Sequence, residues 1–406
     1  MSLNKLNISL KNEIDTLKSE GRAKIPEKII EKYLAPKGDK GPRYKLMGYD
    51  KEFIRLNSNS YLSLSNNPDM IKVADKATHD FGVGPGAVRF IDGTFIHHAT
   101  LEKRIAKFTG KSAAKIFNSA YTTNLGLAIA ISNKQTYWIG DQLNHNSIIR
   151  AMRIANIPSP NKGIFKHNDM DDFKRCLDEV PENMERVLVI FDGIFSMRGD
   201  CAPIDKIEAI VKQYDSKFKD GVVTIVDDSH GIGAYGDTGR GTIEHCNSSP
   251  DIIVGTFGKA FGVNGGFIAA SDMVIETIRQ KADTYIYTNP LSVADCAAAI
   301  KAIDICDSPQ GIERLKNLKA RTNQFRQGLE AQGKETIDGP HPVVPMLVRD
   351  TVKTHGIVKT LFENGVLVVG LTFPVVPKGD ETIRFQINAS HTENDIEYVL
   401  SVLNNL

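Results

Sequence analysis

The chain has 406 residues, enough for two domains with a substantial core. Apolar residues make up 41% and charged ones 24%, and 50 basic against 49 acidic side chains leave a net charge of +1, with no electrostatic footprint for nucleic acid. No apolar run approaches the roughly 18 residues of a membrane span. The polar start lacks a signal-peptide core, and five scattered cysteines form no C-x-x-C pair, which argues for a reducing, cytoplasmic setting without a disulfide framework or zinc cluster.

Leu3, Leu6, Leu10, Ile14 and Leu17 recur at three- and four-residue steps, so residues 3–20 are expected to form an amphipathic helix stopped by Gly21. Its apolar stripe must dock, either on the chain's own core or on a partner subunit. A Lys-, Gly- and Pro-rich loop from Pro36 to Arg43 leads to a strand near Phe53–Leu56 and to the segment Asn57-Ser58-Asn59-Ser60-Tyr61-Leu62. Residues 1–56 thus read as an N-terminal helical arm with a short strand, ahead of a domain over 57–290.

From about residue 112 to 270, short apolar runs alternate with helical patterns. The runs are Ala113–Phe117, Thr136–Ile139, Arg186–Phe191, Gly221–Val226, Ile252–Thr256 and Gly266–Ala270, and Pro203 opens a helix over Ile204–Tyr214. Strands spaced by crossover helices imply an α/β fold with a mainly parallel sheet, whose ligands bind beyond the carboxyl ends of the strands. Residues 291–406 read as a smaller α/β domain. It should hold a long helix from Ser292 to Gln332, strands at Val343–Val348, Val366–Val369 and Thr382–Asn388, a helix Thr354–Asn364, and a last helix capped by Thr392 and Asp395.

The chemistry concentrates where strands end. Val222 to Val226 runs into Asp227-Asp228-Ser229-His230, and Lys259 follows in Thr256-Phe257-Gly258-Lys259-Ala260. A strand ending in Asp-x-x-His, then a lysine held between glycines, is what a pyridoxal phosphate (PLP) enzyme needs. Lys259 would form a Schiff base with the aldehyde, Asp227 would pair with the pyridinium nitrogen, and His230 could reach the phenolic oxygen. A desolvated lysine also serves as a general base. Thr256 could reach the phosphate, as could amides around Ser119, Ala120 and Tyr121 at a helix start. His145 could stack on a flat ring, and Arg384, on the polar face of its strand, could grip a carboxylate. Gly231-Ile232-Gly233-Ala234-Tyr235-Gly236 spells a dinucleotide fingerprint, but a loop follows where that motif requires a helix. His97-His98 has no partner at metal-ligand spacing, so no metal is assigned.

These residues and their surroundings resemble the α-oxoamine synthases, PLP enzymes of the fold-type-I, aspartate aminotransferase-like superfamily. The resemblance runs from about residue 15 to 404, through Ser58–Leu62, Val88–Thr94, Leu143–Ile149, Asp192–Met197, Val226–His230, Gly255–Ala260, Phe373–Gly379, Ile383-Arg384 and Ala389–Thr392. It implies that His145 stacks on the ring with Ser196 beside it, and that Asn59 and Arg384 hold the amino-acid carboxylate. It further implies a homodimer in which Thr288 and Asn289 reach the phosphate of the neighbouring subunit. The implied reaction is a Claisen-type condensation of an amino acid with an acyl-CoA, with Lys259 moving the α-proton and His145 and His230 serving the oxyanion. The segment around Val88 resembles the branch that joins glycine to acetyl-CoA (2-amino-3-ketobutyrate CoA ligase, glycine C-acetyltransferase). An apolar Val88 offers no partner to a succinyl carboxylate. The alternatives are an 8-amino-7-oxononanoate synthase-like or serine palmitoyltransferase-like enzyme with a longer acyl donor, and a plain aminotransferase. Ser60, Ser63, Arg198, Pro290 and Val263-Asn264 depart from the family pattern, and these departures bear on the substrate rather than on Lys259, Asp227 or His230.

Overall fold

The computed structural model describes residues 2–373 and 375–406. Seven strands form the central sheet: β4 (Ala113–Phe117), β5 (Thr136–Asp141), β6 (Lys162–Phe165), β7 (Arg186–Asp192), β8 (Val222–Asp227), β9 (Ile252–Thr256) and β10 (Gly266–Ala270). Ahead of them lie β1 (Ile30–Leu34), β2 (Arg43–Leu46) and β3 (Glu52–Arg55). The central order is β4-β10-β9-β8-β7-β5-β6. β6, β5, β7, β8 and β9 run parallel, while β10 is antiparallel to both its neighbours.

Alternation within the strands explains why they read as unbroken apolar runs. Leu188 and Ile190 of β7 join one core with Trp138, Ile225 and Ile268, while Val187, Val189 and Phe191 join another with Ile139 and Val226. Both faces are covered, as in doubly wound sheets. The register pairs Asp192 with Asp227 across β7 and β8, so two carboxylates finish side by side at the strands' carboxyl ends.

The C-terminal part departs from expectation in three places. The long helix is two, Val293–Cys306 and Pro309–Ala331. Pro309 lacks the amide needed to continue the first and suits the opening turn of the second. The strand expected at Val366–Val369 is divided between β12 (Val366–Leu367), which pairs with β3, and β13 (Val369–Leu371), which joins β14 (Thr382–Gln386) and β11 (Val343–Leu347). The helix expected from Thr354 starts at Thr351, because Asp350 caps it by accepting from the Lys353 amide at 2.7 Å. The capping box of Thr392 and Asp395 forms as read. Pro374, within one of the quoted motifs, lies outside the described residues.

The first helix, α1 (Ser2–Ser19), forms over the expected span but buries none of its residues. Its stripe therefore does not dock on the chain's own core. Among the described residues no helix is long and apolar enough to cross a membrane. The 231–236 glycines sit in turns rather than opening a helix, with Gly233 and Gly236 at positive φ and, in the loop that follows, Gly239 and Gly241 as well. His98 is structural: Nδ1 accepts from the Phe95 amide and Nε2 bonds the Leu291 carbonyl.

Candidate active site

Lys259 leaves β9 in a tight turn, where Gly262 bonds back to its carbonyl at 3.0 Å. The amine makes no ion pair among the described residues. Desolvation lowers it to about 8, while Asp227 and Asp192 pull the other way. Asp227 is buried; its Oδ2 accepts from Asn124 Nδ2 at 2.7 Å and its Oδ1 from the Ser229 amide at 3.1 Å. Its neighbour Asp228 faces away, accepting from the Thr242 amide at 2.9 Å and the Thr242 hydroxyl at 2.5 Å. The structure thus gives the two acids different duties, Asp228 anchoring a loop and Asp227 facing the cleft with Lys259.

Two histidine environments follow. His230 is buried, its Nδ1 is 2.7 Å from the Tyr61 hydroxyl, and its carbonyl meets His341 Nε2 at 3.0 Å. Desolvation, then Lys259 and His341, hold its imidazole well below the ordinary value, so it is neutral. His145 caps α5 (Asn146–Ile154) through its ring, and its amide donates to Asp192 Oδ2 at 2.7 Å. Desolvation lowers His145 too, against the pull of Asp227 and with the push of Lys259. Asp192, buried beside Asp227, is raised well above the carboxylate range by desolvation and then by that like charge.

The phosphate end of the expected site is built where α4 (Ala120–Ile131) begins. Ser119 caps it by accepting from the Thr122 amide at 3.2 Å, leaving the amides of Ala120 and Tyr121 at the first two helical positions without an intrahelical partner. Gly266 of β10 closes on this turn so tightly that a Cβ would lie 2.4 Å from the Ala120 nitrogen. A helix start whose first amides lack intrahelical partners, backed by a strand position where a Cβ would clash, fits an anionic group. Thr256 is engaged inside its own loop, donating to the Gly265 carbonyl at 2.9 Å and accepting from the Gly258 amide at 3.1 Å. Tyr121 reaches Asn146 with its hydroxyl at 3.2 Å.

At the other end, Arg384 donates from Nη1 to the Ser196 carbonyl at 2.9 Å, while its buried Nε has no partner among the described residues. Asn59 Oδ1 takes a hydrogen bond from Gln386 and lies 3.4 Å from the Tyr61 hydroxyl. An orphaned guanidinium N–H beside an amide is a fitting reception for a carboxylate. Next to Ser196 opens a cavity of about 720 Å³ of mixed lining, apolar at Leu143, Phe195, Met197 and Val376 and charged at Arg198 and Arg349.

Asp227 and His145 are joined through Asn124 and Ser147, and the charge of Lys259 is near enough to bear on both His145 and His230. The Val88 carbonyl accepts from the Ile91 and Gly93 amides, both at 3.0 Å. Thr288 donates to the Thr284 carbonyl, and the Asn289 carbonyl accepts from Asn118 of the same chain at 2.8 Å. This segment therefore lies against its own phosphate-end loop. Sequence reading missed Asn124, Ser147 and Asp192 as site residues and left Tyr61 without a role. Only Asp192 carried a signal, an acid closing an apolar strand as Asp227 does.

A family model for class I and II aminotransferases matches residues 51–403. The chain is 36% identical over 352 residues to an 8-amino-7-oxononanoate synthase of Thermosipho melanesiensis, covering 86% of this chain and 87% of that protein. It is 34% identical over 393 residues to a protein of the same name from Thermoanaerobacter pseudethanolicus, covering 96% and 94%. A serine palmitoyltransferase from S. paucimobilis, solved with bound PLP and myriocin, superposes with a TM-score of 0.86 at 27% identity, covering 98% of this chain and 96% of that one. These relatives do not support the glycine and acetyl-CoA reading drawn from Val88. They favour the alternative with a longer acyl donor.

Proposed function

Because the chain belongs to the α-oxoamine synthase family, PLP-dependent acyltransferases on the fold-type-I aminotransferase scaffold, we propose that it condenses a small amino acid with a medium or long acyl thioester, after the pattern of 8-amino-7-oxononanoate synthase. That product name carries its own retrosynthesis. Cutting between carbons 7 and 8 yields a seven-carbon ω-carboxyacyl group and an aminoethyl unit, which is alanine less its carboxylate. The balanced reaction consumes the thioester and alanine and releases thiol and carbon dioxide.

PLP, when bound, supplies the electron sink that lets an amino acid lose a group from its α-carbon. Lys259 would hold it covalently, Asp227 would face its ring nitrogen, His145 its ring plane and His230 its phenolic oxygen. Ser119, Ala120 and Tyr121 would hold its phosphate, with Thr256 fixing the adjoining turn. Arg384 and Asn59 orient the amino-acid carboxylate. The Lys259 amine, lowered to about 8, has a larger unprotonated fraction near neutral pH than an ordinary lysine and takes the α-proton in that form. His145 donates toward the thioester oxygen as negative charge develops there.

The observation that carries the longer donor is the cavity of mixed lining beside Ser196, far larger than an acetyl group requires. The test is a matrix of glycine, alanine and serine against acetyl, seven-carbon ω-carboxyacyl and palmitoyl thioesters of CoA, following thiol and carbon dioxide together. Alanine with the seven-carbon donor should turn over fastest, with one carbon dioxide per thiol. Fastest turnover with acetyl-CoA would overturn the donor assignment. Thiol release with no pair, alongside amino transfer from an amino acid alone, would favour a plain aminotransferase.

A further inference from the structure

We infer that His145 is fixed as the neutral tautomer carrying its proton on Nε2, by a hydrogen-bond relay that starts at Asp227 and passes through Asn124 and Ser147. The inference deepens the proposed function and rests on it for the meaning of that proton. The relay itself stands on distances. Asn124, buried on α4, places Nδ2 2.7 Å from Asp227 Oδ2 and 2.9 Å from Ser147 Oγ. Ser147 Oγ in turn lies 2.7 Å from His145 Nδ1.

Donor counting gives the relay a direction. The other oxygen of Asp227 already accepts from the Ser229 amide, so the carboxylate presents acceptors on both sides. Only the NH₂ end of Asn124 can face it; the carbonyl end would set oxygen against oxygen. The amide holds this orientation although it leaves Oδ1 buried without a partner among the described residues. The second hydrogen of Nδ2 then occupies one lone pair of Ser147 Oγ, whose hydroxyl proton can point at His145 Nδ1; the alternative, a proton on Nδ1 donated to the other lone pair, is decided by the backbone.

A separate contact makes that decision. The Ser147 backbone amide donates to Nδ1 at 3.3 Å, the ring acting as the N-terminal cap of α5. A proton on Nδ1 would face this backbone N–H. The imidazole proton therefore sits on Nε2. In the proposed reaction this tautomer can donate to the thioester oxygen, whereas the other would turn a lone pair toward a growing negative charge. Asn124 and Ser147 are positioning residues; neither needs to touch substrate.

The test is ¹⁵N NMR of histidine-labelled enzyme, with and without PLP and with no thioester present, using His145→Gln to identify the resonances. The expected spectrum has a pyridine-like Nδ1 and a pyrrole-like Nε2 for His145. Ser147→Ala keeps the backbone cap and should give a tautomer mixture, with kcat lowered roughly 10-fold at unchanged KM, the pattern of a contact that matters in the transition state. Ser147→Thr should restore both. A wild-type Nδ1–H, or a Ser147→Ala enzyme with unchanged spectrum and kcat, would overturn the relay. Absence of any thiol release would sink the reaction instead and leave the tautomer result standing. Should Ser147→Ala fail to fold, the wild-type spectrum decides alone.

Discussion

Desolvation costs the Lys259 ammonium more than Asp227 and Asp192 return, which is why the amine falls from an ordinary 10.5 to about 8. Between those values the unfolded chain keeps a proton that the folded chain has released, so folding stability rises with pH across that window. Below it the site carries a penalty, on the order of 1–3 kcal/mol once screening by cleft water is allowed for. Lys259→Met removes the charge at similar length. In the PLP-free enzyme it should raise the melting temperature at pH 7 by about 1–4 °C and by little at pH 10, while abolishing the visible absorbance on adding PLP. An unchanged or lower melting temperature at pH 7, read by calorimetry, would contradict the penalty. The site's reactivity is here a local loss of stability.

Elements decide what the sequence could and could not reveal. Asp227, His230 and Lys259 were legible because strand ends are short, punctuated by polar residues, and face ligands in open α/β sheets. Asn124 and Ser147 were not, since each is one polar residue on a helix, and only tertiary packing turns Asn124 toward Asp227 and Ser147 toward Asn124. The break at Pro309 was written in the chain, yet the helical pattern on both sides masked it. The division of residues 366–371 between two sheets had no local mark, because strand pairing there depends on β3, which lies more than 300 residues earlier. Gly266 belongs to this scale too. Its missing side chain lets β10 approach the start of α4, where a Cβ would meet backbone at 2.4 Å. Gly266→Ala should therefore displace the Ala120 and Tyr121 amides and weaken PLP binding roughly 10-fold or more, about 1.4 kcal/mol, with circular dichroism unchanged. Fluorescence titration with PLP reads the effect, and an unaltered Kd would show that this turn does not hold the phosphate.

At the scale of the whole molecule, apolar surface is left over. Val83, Phe90, Ile91, Ile96 and Tyr287 are each more than half exposed, and Phe90 and Tyr287 line one cleft. The stripe of α1 adds Leu3, Leu6 and Ile14, about half exposed or more. Exposed apolar residues gathered in one region mark interaction sites rather than ordinary surface. Tyr287 immediately precedes Thr288 and Asn289, and Asn289 bonds Asn118 beside the helix start that would hold the phosphate. We propose that a second copy of the chain covers this surface and completes the site. Phe90→Glu with Ile91→Lys should then convert a dimer of 44.7 kDa subunits into monomers, measured by light scattering after gel filtration, and should weaken PLP binding in the same protein. Removing residues 2–19 separates the two surfaces: if α1 is part of the interface, the truncated chain dissociates at low concentration, and if only the 83–96 loop and Tyr287 carry it, the dimer persists. A wild-type protein that scatters as a monomer while turning over thioester would defeat the shared site, because Thr288 and Asn289 would then act only within their own chain.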